Sequence, residues 1–187
     1  MFPDGVLSRH IDDQRMSGAL ATSMLRHCTT SDAPAIVRIY NFYIRETVVT
    51  FEEEPVTAAE MADRIAAVTA LYPWLVWEEA GAIAGYAYAT PWKSRTAYRH
   101  SVEATVYLDL EMVGKGLGTS LYRALLQELR QLNVHTVIGG AALPNAASVA
   151  LHEKLGFTKV AEFPEVGRKH GKWVDVAYWQ MVFRGDA

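Results

Sequence analysis

The spacing of apolar residues changes repeatedly along the chain, and each change marks the boundary of a predicted element. Apolar residues three and four positions apart are typical of amphipathic helices, whereas alternating or short continuous apolar runs are typical of strands. Four segments have the helical spacing, over about 31–45, 57–72, 116–132 and 145–155. Seven segments have the strand spacing, over 24–29, 74–79, 82–90, 100–108, 134–140, 157–163 and 173–183.

Local signals define the ends of several of these helices. Thr57 and Glu60 have the spacing of a capping box, in which each side chain binds a backbone N–H at the helix start. Gly156 follows the last predicted helix, and glycine commonly ends a helix in the left-handed conformation. The third helix carries one apolar stripe at four-residue spacing, made of Leu117, Leu121, Leu125 and Leu129. This stripe predicts that the helix packs against a sheet by one face.

The predicted order is βααβββαβαββ, with hairpins in the middle and one βαβ-like crossover after Leu108. Strands and helices mixed in this way predict an α+β fold with a mixed sheet. The sequence contains no internal repeat or second domain, and we expect residues 23–187 to form a single domain. Residues 1–22 are polar and unpatterned, so we expect them to form an irregular extension outside the fold.

The composition is that of a folded protein without a strong electrostatic bias. Of the 187 residues, 50% are hydrophobic and 21% are charged, which argues against a disordered chain. The formal net charge is −3, so no basic excess points to nucleic acid or to an anionic membrane as a partner. The sequence also lacks an apolar run long enough to cross a bilayer and a recognisable signal peptide.

Cys28 is the only cysteine of the chain, which excludes an intrachain disulfide. The histidine spacings match no common zinc motif, and we therefore expect no metal ion. A lone thiol is typical of a reducing compartment, so we expect a cytoplasmic protein.

A glycine-rich turn between a strand and a helix, at residues 114–118, is the most informative local motif. Gly114, Gly116 and Gly118 allow a sharp turn and leave backbone N–H groups exposed. The following helix adds the positive end of its dipole, and together these features suit a pyrophosphate. The spacing departs from both the Walker A motif and the dinucleotide-binding fingerprint. Taken alone, the turn is equally compatible with a connection that binds nothing.

A helix headed by Asn145 and a Gly156-Phe157 pair follow the glycine turn in order. Further short motifs accompany them: Ile39-Tyr40-Asn41-x-Tyr43, Thr50-Phe51-Glu52 with Pro55, Tyr98-Arg99-His100-Ser101-Val102-Glu103, Val106-Tyr107-Leu108, Leu151-His152-Glu153, Glu165-Val166-Gly167 and Gly171-Lys172-Trp173. Over roughly residues 24–183 this ordered set resembles the GNAT superfamily of acyl-coenzyme A N-acyltransferases. Within that superfamily it is most similar to the phosphinothricin and methionine sulfone (sulfoximine) acetyltransferases. The resemblance implies a central twisted, mostly antiparallel mixed sheet of about seven strands flanked by four helices, acetyl-CoA as cosubstrate and a homodimer.

The resemblance assigns acetyl-CoA to the glycine turn and to the segments around it. The implied residues are Val106, Tyr107, Leu108, Gly114, Lys115, Gly116, Leu117, Gly118, Thr119, Asn145 and Ser148. This chain has Val113 where the superfamily usually has Gln or Arg at the start of the turn, and the preceding loop is more acidic. Because backbone N–H groups hold the pyrophosphate, we expect coenzyme binding to be retained.

Two side chains are the candidates for proton transfer. Strand alternation places Glu103 on the same face as Thr105 and Tyr107, and the resemblance implies that Glu103 is the general base, directly or through water. His152 stands where many members of the superfamily have a tyrosine, and the resemblance implies an acid or a second proton relay. The alternatives are a solvent-facing carboxylate for Glu103 and a locally packed helix histidine for His152. Backbone N–H groups near residues 106–108 would polarise the acyl oxygen.

A loop rich in cationic groups, residues 92–100, lies between two predicted strands. By composition it is an ordinary solvated loop, but in the resembled acetyltransferases the matching loop holds the acidic part of an amino-acid-like substrate. The implied substrate residues are Phe51, Lys93, Arg95, Tyr98 and Arg99. The predicted function is acetylation of the α-amino group of a phosphinothricin or methionine sulfone/sulfoximine type of analogue. The alternatives are an acetyltransferase for another small amine or a plain amino acid, and a non-catalytic acyl-CoA-binding module.

Overall fold

The structure is a computed structural model that describes residues 23–184, so the predicted extension over residues 1–22 lies outside the described residues. The strands are β1 (Ser23–His27), β2 (Trp74–Glu79), β3 (Ala82–Pro91), β4 (Ser101–Leu108), β5 (Thr136–Ala142), β6 (Thr158–Lys169) and β7 (Lys172–Val182). The helices are α1 (Ala33–Glu46), α2 (Ala58–Thr69), α3 (Leu117–Gln131) and α4 (Ala146–Lys154). The order of the elements is the one predicted from the sequence.

The strands form a single seven-stranded sheet in the order β1-β2-β3-β4-β5-β7-β6. Neighbouring strands are antiparallel except β4 and β5, which are parallel and are joined by the crossover through α3. Parallel neighbours need such a crossover, whereas antiparallel neighbours can be joined by tight turns. The predicted mixed, mostly antiparallel sheet with four helices is confirmed.

The helices cover the two faces of this sheet. The core beneath α1 and α2 includes Ile36, Ile65 and Tyr86, and the core beneath α3 includes Leu125 and Trp179. The capping box at the start of α2 and the leucine stripe of α3 are both present, which confirms these local predictions. Within residues 23–184, every helix is too short or too polar to span a bilayer.

Strand β6 is longer than the sequence pattern indicates. Pro164 and Gly167 interrupt the alternation, so the sequence analysis ended this strand at Phe163. In the structure the strand bulges between Phe163 and Gly167 and then pairs again with β7 as far as Lys169. A bulge lets a strand pass residues that cannot join the ladder without ending the pairing. The β6–β7 hairpin therefore extends to the loop between α1 and α2.

Strands β4 and β5 separate after three paired positions, from Ser101–Thr136 to Glu103–Ile138. Beyond this fork β4 remains paired with β3, and β5 remains paired with β7. The two parallel strands therefore diverge, and a gap opens between them on the carboxyl side of Glu103.

The orientation of the β4 main chain toward this gap follows from its end residues. The Ser101 carbonyl and the Asp109 N–H both bond to backbone on the β3 side. Because backbone groups alternate in direction along an antiparallel pair, the odd-numbered residues face β3. The backbone groups of Ala104, Val106 and Leu108 therefore face the gap.

Candidate active site

The gap opens into a groove of about 580 Å³. Its walls are the end of β4, the glycine turn with the start of α3, and helix α4 along its length. The lining includes these residues that the sequence analysis assigned to acetyl-CoA: Val106, Tyr107, Leu108, Gly114, Gly116, Gly118, Thr119, Asn145 and Ser148. The fold thus brings three separate segments of the chain to one groove.

Two further residues of that predicted set, Lys115 and Leu117, have side chains outside the groove lining. Lys115 is exposed, and its Nζ lies 3.6 Å from Met112 Sδ. Leu117 is buried at the start of the apolar stripe of α3. Only the main chain of these two residues belongs to the turn.

The glycine turn requires glycine because of its backbone conformation. Gly114 and Gly116 have φ values of 82° and 86°, which L side chains rarely adopt. A Cβ at either position would meet no atom within 4 Å, so the requirement is conformational rather than steric. Gly116 is the N-cap of α3, and the first N–H groups of a helix have no partner inside it. These N–H groups and the helix dipole make the turn suitable for a diphosphate.

The open edge of β4 is a second main-chain surface of the groove. The backbone groups of Val106 and Leu108 face the groove, as the alternation along β4 indicates. The hydroxyl of Tyr43, which also lines the groove, donates to the Leu108 carbonyl at 2.8 Å. The edge can pair with an extended ligand, and N–H groups here can polarise an acyl oxygen.

Glu103 lies at the fork and is half-buried. Its Oε1 lies 3.2 Å from the position that a Cβ would occupy on Gly140, and Cε1 of Tyr178 lies 3.1 Å from the same position. Burial raises the pKa of Glu103, and the positive charge of Lys93 opposes that rise. A carboxylate with a raised pKa accepts a proton more readily than an exposed one. Glu103 is therefore a half-buried carboxylate at the fork that can accept a proton.

His152 lies beneath the groove and is only 3% exposed. Its Nδ1 lies 2.8 Å from the Ser148 carbonyl oxygen, and because a carbonyl only accepts, Nδ1 carries the proton. Its Nε2 lies 3.4 Å from the Tyr122 hydroxyl, and the ring stacks on Trp179 at 5.4 Å. Burial lowers the pKa of His152, although the hydrogen bond to Ser148 opposes this. These are the contacts of a neutral, locally packed histidine.

Tyr122 is a residue of the groove that the sequence analysis did not single out. Its hydroxyl lies 3.3 Å from the Ala104 carbonyl oxygen and 3.4 Å from His152 Nε2. Burial raises the pKa of Tyr122, and the nearby charge of Glu103 adds to the rise. The sequence feature that could have identified Tyr122 is its hydroxyl group on the buried face of α3, directly after Leu121. A residue in that position must place its hydroxyl against a partner inside the fold.

Lys93 is the member of the cationic loop whose charge acts on Glu103. Its Nζ lies 4.5 Å above the ring of Trp92. Trp92 in turn contacts Tyr178 edge to face, with ring centroids 5.5 Å apart. Lys93, Trp92 and Tyr178 thus form a chain of contacts, and Tyr178 lies with Glu103 against Gly140.

The other cationic candidates, Arg95 and Arg99, lie with Tyr98 on an exposed turn over residues 96–98. Arg99 Nη1 donates to the Thr96 carbonyl at 3.4 Å, which is a contact within the same turn. All four side chains are exposed, and only the charge of Lys93 shifts the pKa of Glu103.

Phe51 lies in the loop between α1 and α2, and its ring packs directly on Gly167 of β6. A Cβ on Gly167 would lie 2.3 Å from Phe51 Cζ, so glycine is needed there for close approach. The neighbouring Thr50 carbonyl accepts a hydrogen bond from Lys169 Nζ at 2.6 Å. The sequence analysis named Phe51 as a candidate but did not identify Lys169. It included Gly167 only as part of the Glu165-Val166-Gly167 motif.

The comparisons with known proteins cover all of these segments. Residues 25–178 match the family model of the acetyltransferase (GNAT) domain. A phosphinothricin N-acetyltransferase of Streptomyces viridochromogenes is 42% identical over 159 residues, which are 85% of this chain and 87% of that protein. An L-methionine sulfoximine/L-methionine sulfone acetyltransferase of Salmonella typhimurium is 37% identical over 158 residues, which are 84% of this chain and 92% of that protein.

Solved structures share the fold over a similar length. A Salmonella typhimurium protein described as an acetyltransferase, solved with its cofactor acetyl-CoA, has a TM-score of 0.86 at 35% identity, covering 89% of this chain and 96% of that chain. A GNAT superfamily phosphinothricin acetyltransferase of Sinorhizobium meliloti in complex with acetyl-CoA has a TM-score of 0.83 at 38% identity, covering 86% of this chain and 88% of that chain.

Proposed function

The chain belongs to the GNAT acetyltransferase family and is an enzyme that transfers acetyl groups, and on that premise we propose its donor, its acceptor and its base. The donor is acetyl-CoA, and the acceptor is the α-amino group of a small amino-acid analogue of the phosphinothricin or methionine sulfoximine type. Glu103 accepts the proton of the amine. The observation that carries this proposal is the place of Glu103, half-buried at the fork between the groove and the side lined by Lys93 and Tyr178.

The groove has the features that acetyl-CoA requires. When bound, the coenzyme supplies an acetyl group on a thioester. Main-chain N–H groups of residues 114–119 would hold its diphosphate, and the edge of β4 at Val106 and Leu108 would align its extended arm and polarise the acyl oxygen. Because these contacts come from the main chain, Val113 in place of Gln or Arg leaves them intact.

Glu103 would prepare the amine for attack. An α-amino group has a pKa of about 8 and is mostly protonated at neutral pH. Glu103 takes this proton, directly or through water, and the nitrogen lone pair then forms the bond to the acyl carbon. The carbon–sulfur bond breaks, and its electron pair leaves with the sulfur as a thiolate. The acylated nitrogen then loses its second proton to this thiolate, whose conjugate thiol has a pKa of about 8.5, so the products are the amide and the free thiol. Holding both reactants in one site contributes roughly 7–11 kcal/mol.

We assign His152 a positioning role rather than proton donation. Its Nδ1–H is committed to the Ser148 carbonyl, so the neutral ring has no proton on Nε2 to give. The Tyr122 hydroxyl lies between this nitrogen and the carbonyl of Ala104, the first β4 residue beyond the fork. His152 and Tyr122 would thus support the floor of the groove directly behind Glu103.

The loop over residues 92–100 would recognise the acidic group of the acceptor. Arg95 and Arg99 present guanidinium groups, which pair with a carboxylate or phosphinate through two parallel hydrogen bonds. Lys93 and Tyr98 would add a charge and a hydroxyl, and Phe51 would form the apolar wall. This set favours an anionic amino-acid analogue over a polyamine.

A second copy of this chain is the proposed partner. Phe163, Val166 and Trp173 of the β6–β7 hairpin are exposed, with Trp173 at 60%. Exposed apolar side chains on one hairpin can contribute to a protein interface if they form a contiguous patch. They are consistent with the homodimer that the family resemblance implies.

Steady-state acetylation of a small panel tests the proposed acceptor. Phosphinothricin, methionine sulfone and methionine sulfoximine should be acetylated with higher kcat/KM than plain amino acids or a polyamine. Acetylation of the polyamine alone would overturn the acceptor class. A chain that binds acetyl-CoA but acetylates none of these amines would instead favour a non-catalytic binding module.

A further inference from the structure

Lys169 at the end of β6 is a buried lysine that does not line the groove. It is 1% exposed and is one of the largest fully buried side chains of the described residues. Its Nζ donates to the Thr50 carbonyl at 2.6 Å. Lysine is rarely buried to this extent, because removing an ammonium group from water is unfavourable. A lysine kept in such a place usually has a specific task.

The charges around Lys169 belong to the loop that it contacts. Burial lowers the pKa of Lys169, and the charges of Glu53 and Glu52 oppose that change. Both carboxylates follow Thr50 and Phe51 directly in the chain. The ammonium group is therefore matched to this loop electrostatically as well as by its hydrogen bond.

The loop over residues 47–57 is held on its other side by helix α1. The Tyr40 hydroxyl lies 2.9 Å from Thr50 Oγ1, and the Asn41 side-chain amide makes two hydrogen bonds of 2.9 Å with the backbone of Val56. These contacts hold the Thr50 side chain and the C-terminal end of the loop. The carbonyl of Thr50 and the ring of Phe51 contact β6 instead.

The bulge in β6 determines where the contact with Phe51 forms. Glu165 in the bulge has a φ of 50°, and its N–H donates to Asp175 Oδ1 on β7 at 2.7 Å. The register shift between Phe163 and Gly167 follows from this bulge. Gly167 then lies under the Phe51 ring, and Lys169 follows two residues later on the same strand.

We infer that Lys169 and Gly167 are positioning residues for the acceptor, which hold the Thr50–Phe51 segment so that Phe51 forms the apolar wall of the acceptor site. This inference rests on the proposed function, in which Phe51 contacts the amine substrate. Neither residue lines the coenzyme groove. The end of the β6–β7 hairpin therefore sets acceptor affinity without contributing to coenzyme affinity.

The first variant is Lys169→Met, which keeps most of the side-chain volume but leaves the Thr50 carbonyl without its donor. A hydrogen bond to a charged group is worth enough to predict a fall of about 10- to 100-fold in kcat/KM for the amine. The Kd of acetyl-CoA, measured by calorimetry, should stay within about twofold of the wild-type value, since the groove is untouched. The matched control is Lys172→Met, at an exposed position of the same hairpin, which should change neither quantity.

The second variant tests the same contact without altering a charge. Gly167→Ala places a Cβ against the Phe51 ring and should displace it, so kcat/KM for the amine should fall about tenfold. Adding Phe51→Leu to Gly167→Ala should recover part of that loss, because the smaller side chain leaves room for the Cβ. Phe51→Leu alone supplies the reference for this comparison.

Hydrogen exchange of the amides in residues 47–57 gives a readout that needs no acceptor. Faster amide exchange in residues 47–57 of Lys169→Met, with no change in Lys172→Met, supports the inference that Lys169 holds this loop. Failure of the wild type to acetylate any of the proposed amines would overturn the proposed function but would leave this exchange result as support for the contact. Unchanged exchange and unchanged amine kinetics would overturn the inference while the proposed function stands. A loss of acetyl-CoA affinity as large as the loss in kcat/KM for the amine would also overturn it. If Lys169→Met does not fold, the Gly167→Ala and double variants decide.

Discussion

The two sides of Glu103 are built from different parts of the chain. On the coenzyme side the hydrogen-bonding groups belong to the main chain of the 114–119 turn and of β4, and the side chain of Lys115 lies away from the groove. On the proposed acceptor side the contacts would come from side chains, and the ring of Phe51 packs on Gly167 of the distant strand β6. A main-chain site can keep one ligand while its side chains vary. A side-chain site can change its ligand by one substitution.

Substitution of Glu103 by Gln should have the largest effect, because Glu103 is the residue that both sides share. We expect kcat to fall by about 10²- to 10⁴-fold, the range for loss of a general base, with the Kd of acetyl-CoA unchanged. In the wild type, kcat/KM should fall as the pH drops through the raised pKa of Glu103, since protonation removes the base. The variant should lack this acidic limb. Activity within tenfold of wild type would show that another group is the base.

A main-chain site should respond to a change of backbone conformation more than to the loss of a side chain. Gly116→Ala forces an L residue into the left-handed region at a cost of about 1–2 kcal/mol, so the Kd of acetyl-CoA should rise about tenfold. Lys115→Ala, at the adjacent position, should change it by less than about twofold. Calorimetric titration measures both values. A larger effect from Lys115→Ala would mean that a side chain, not the main chain, binds the coenzyme.

Removal of the Lys93 charge should have the smallest effect of the three on activity, and it should shift the pH profile in one direction only. Lys93 lowers the pKa of Glu103, so Lys93→Met should raise that pKa further. The acidic limb of the kcat/KM profile should then move to higher pH, because the base is lost earlier as the pH falls. Lys115→Met removes an equal charge that does not act on the pKa of Glu103, and it should leave the limb in place. A limb that moves to lower pH would contradict the proximity of Lys93 and Glu103.

The groove that we propose for the coenzyme contains most of the residues predicted for it, because the determinants of its turn and helix ends are local. Gly114 and Gly116 indicate a turn with positive φ values, and the leucine stripe indicates the helix that follows this turn. Asn145 likewise caps α4 by accepting from the N–H of Ser148, three residues away. Each of these features needs only a short window of the chain.

The sequence named candidate acceptor residues, but it could not predict the contacts that hold Phe51, because they join residues far apart in the chain. Lys169 and Thr50 are separated by 119 positions. The sequence pattern ended β6 at Phe163, since Pro164 and the residues after it break the alternation, and Lys169 then had no strand to place it. The contacts of the His152 ring could not be predicted either. One of its partners is Tyr122, which approaches the ring only because α3 packs against α4.

A crystal structure of the enzyme with acetyl-CoA bound tests the central claim most directly. We expect the diphosphate oxygens within hydrogen-bond distance of the main-chain N–H groups of residues 114–119, and the thioester beside β4 at Val106 with its acyl carbon turned toward the Glu103 side of the fork. A diphosphate bound through side chains elsewhere on the surface, or a thioester placed away from the fork, would contradict the account.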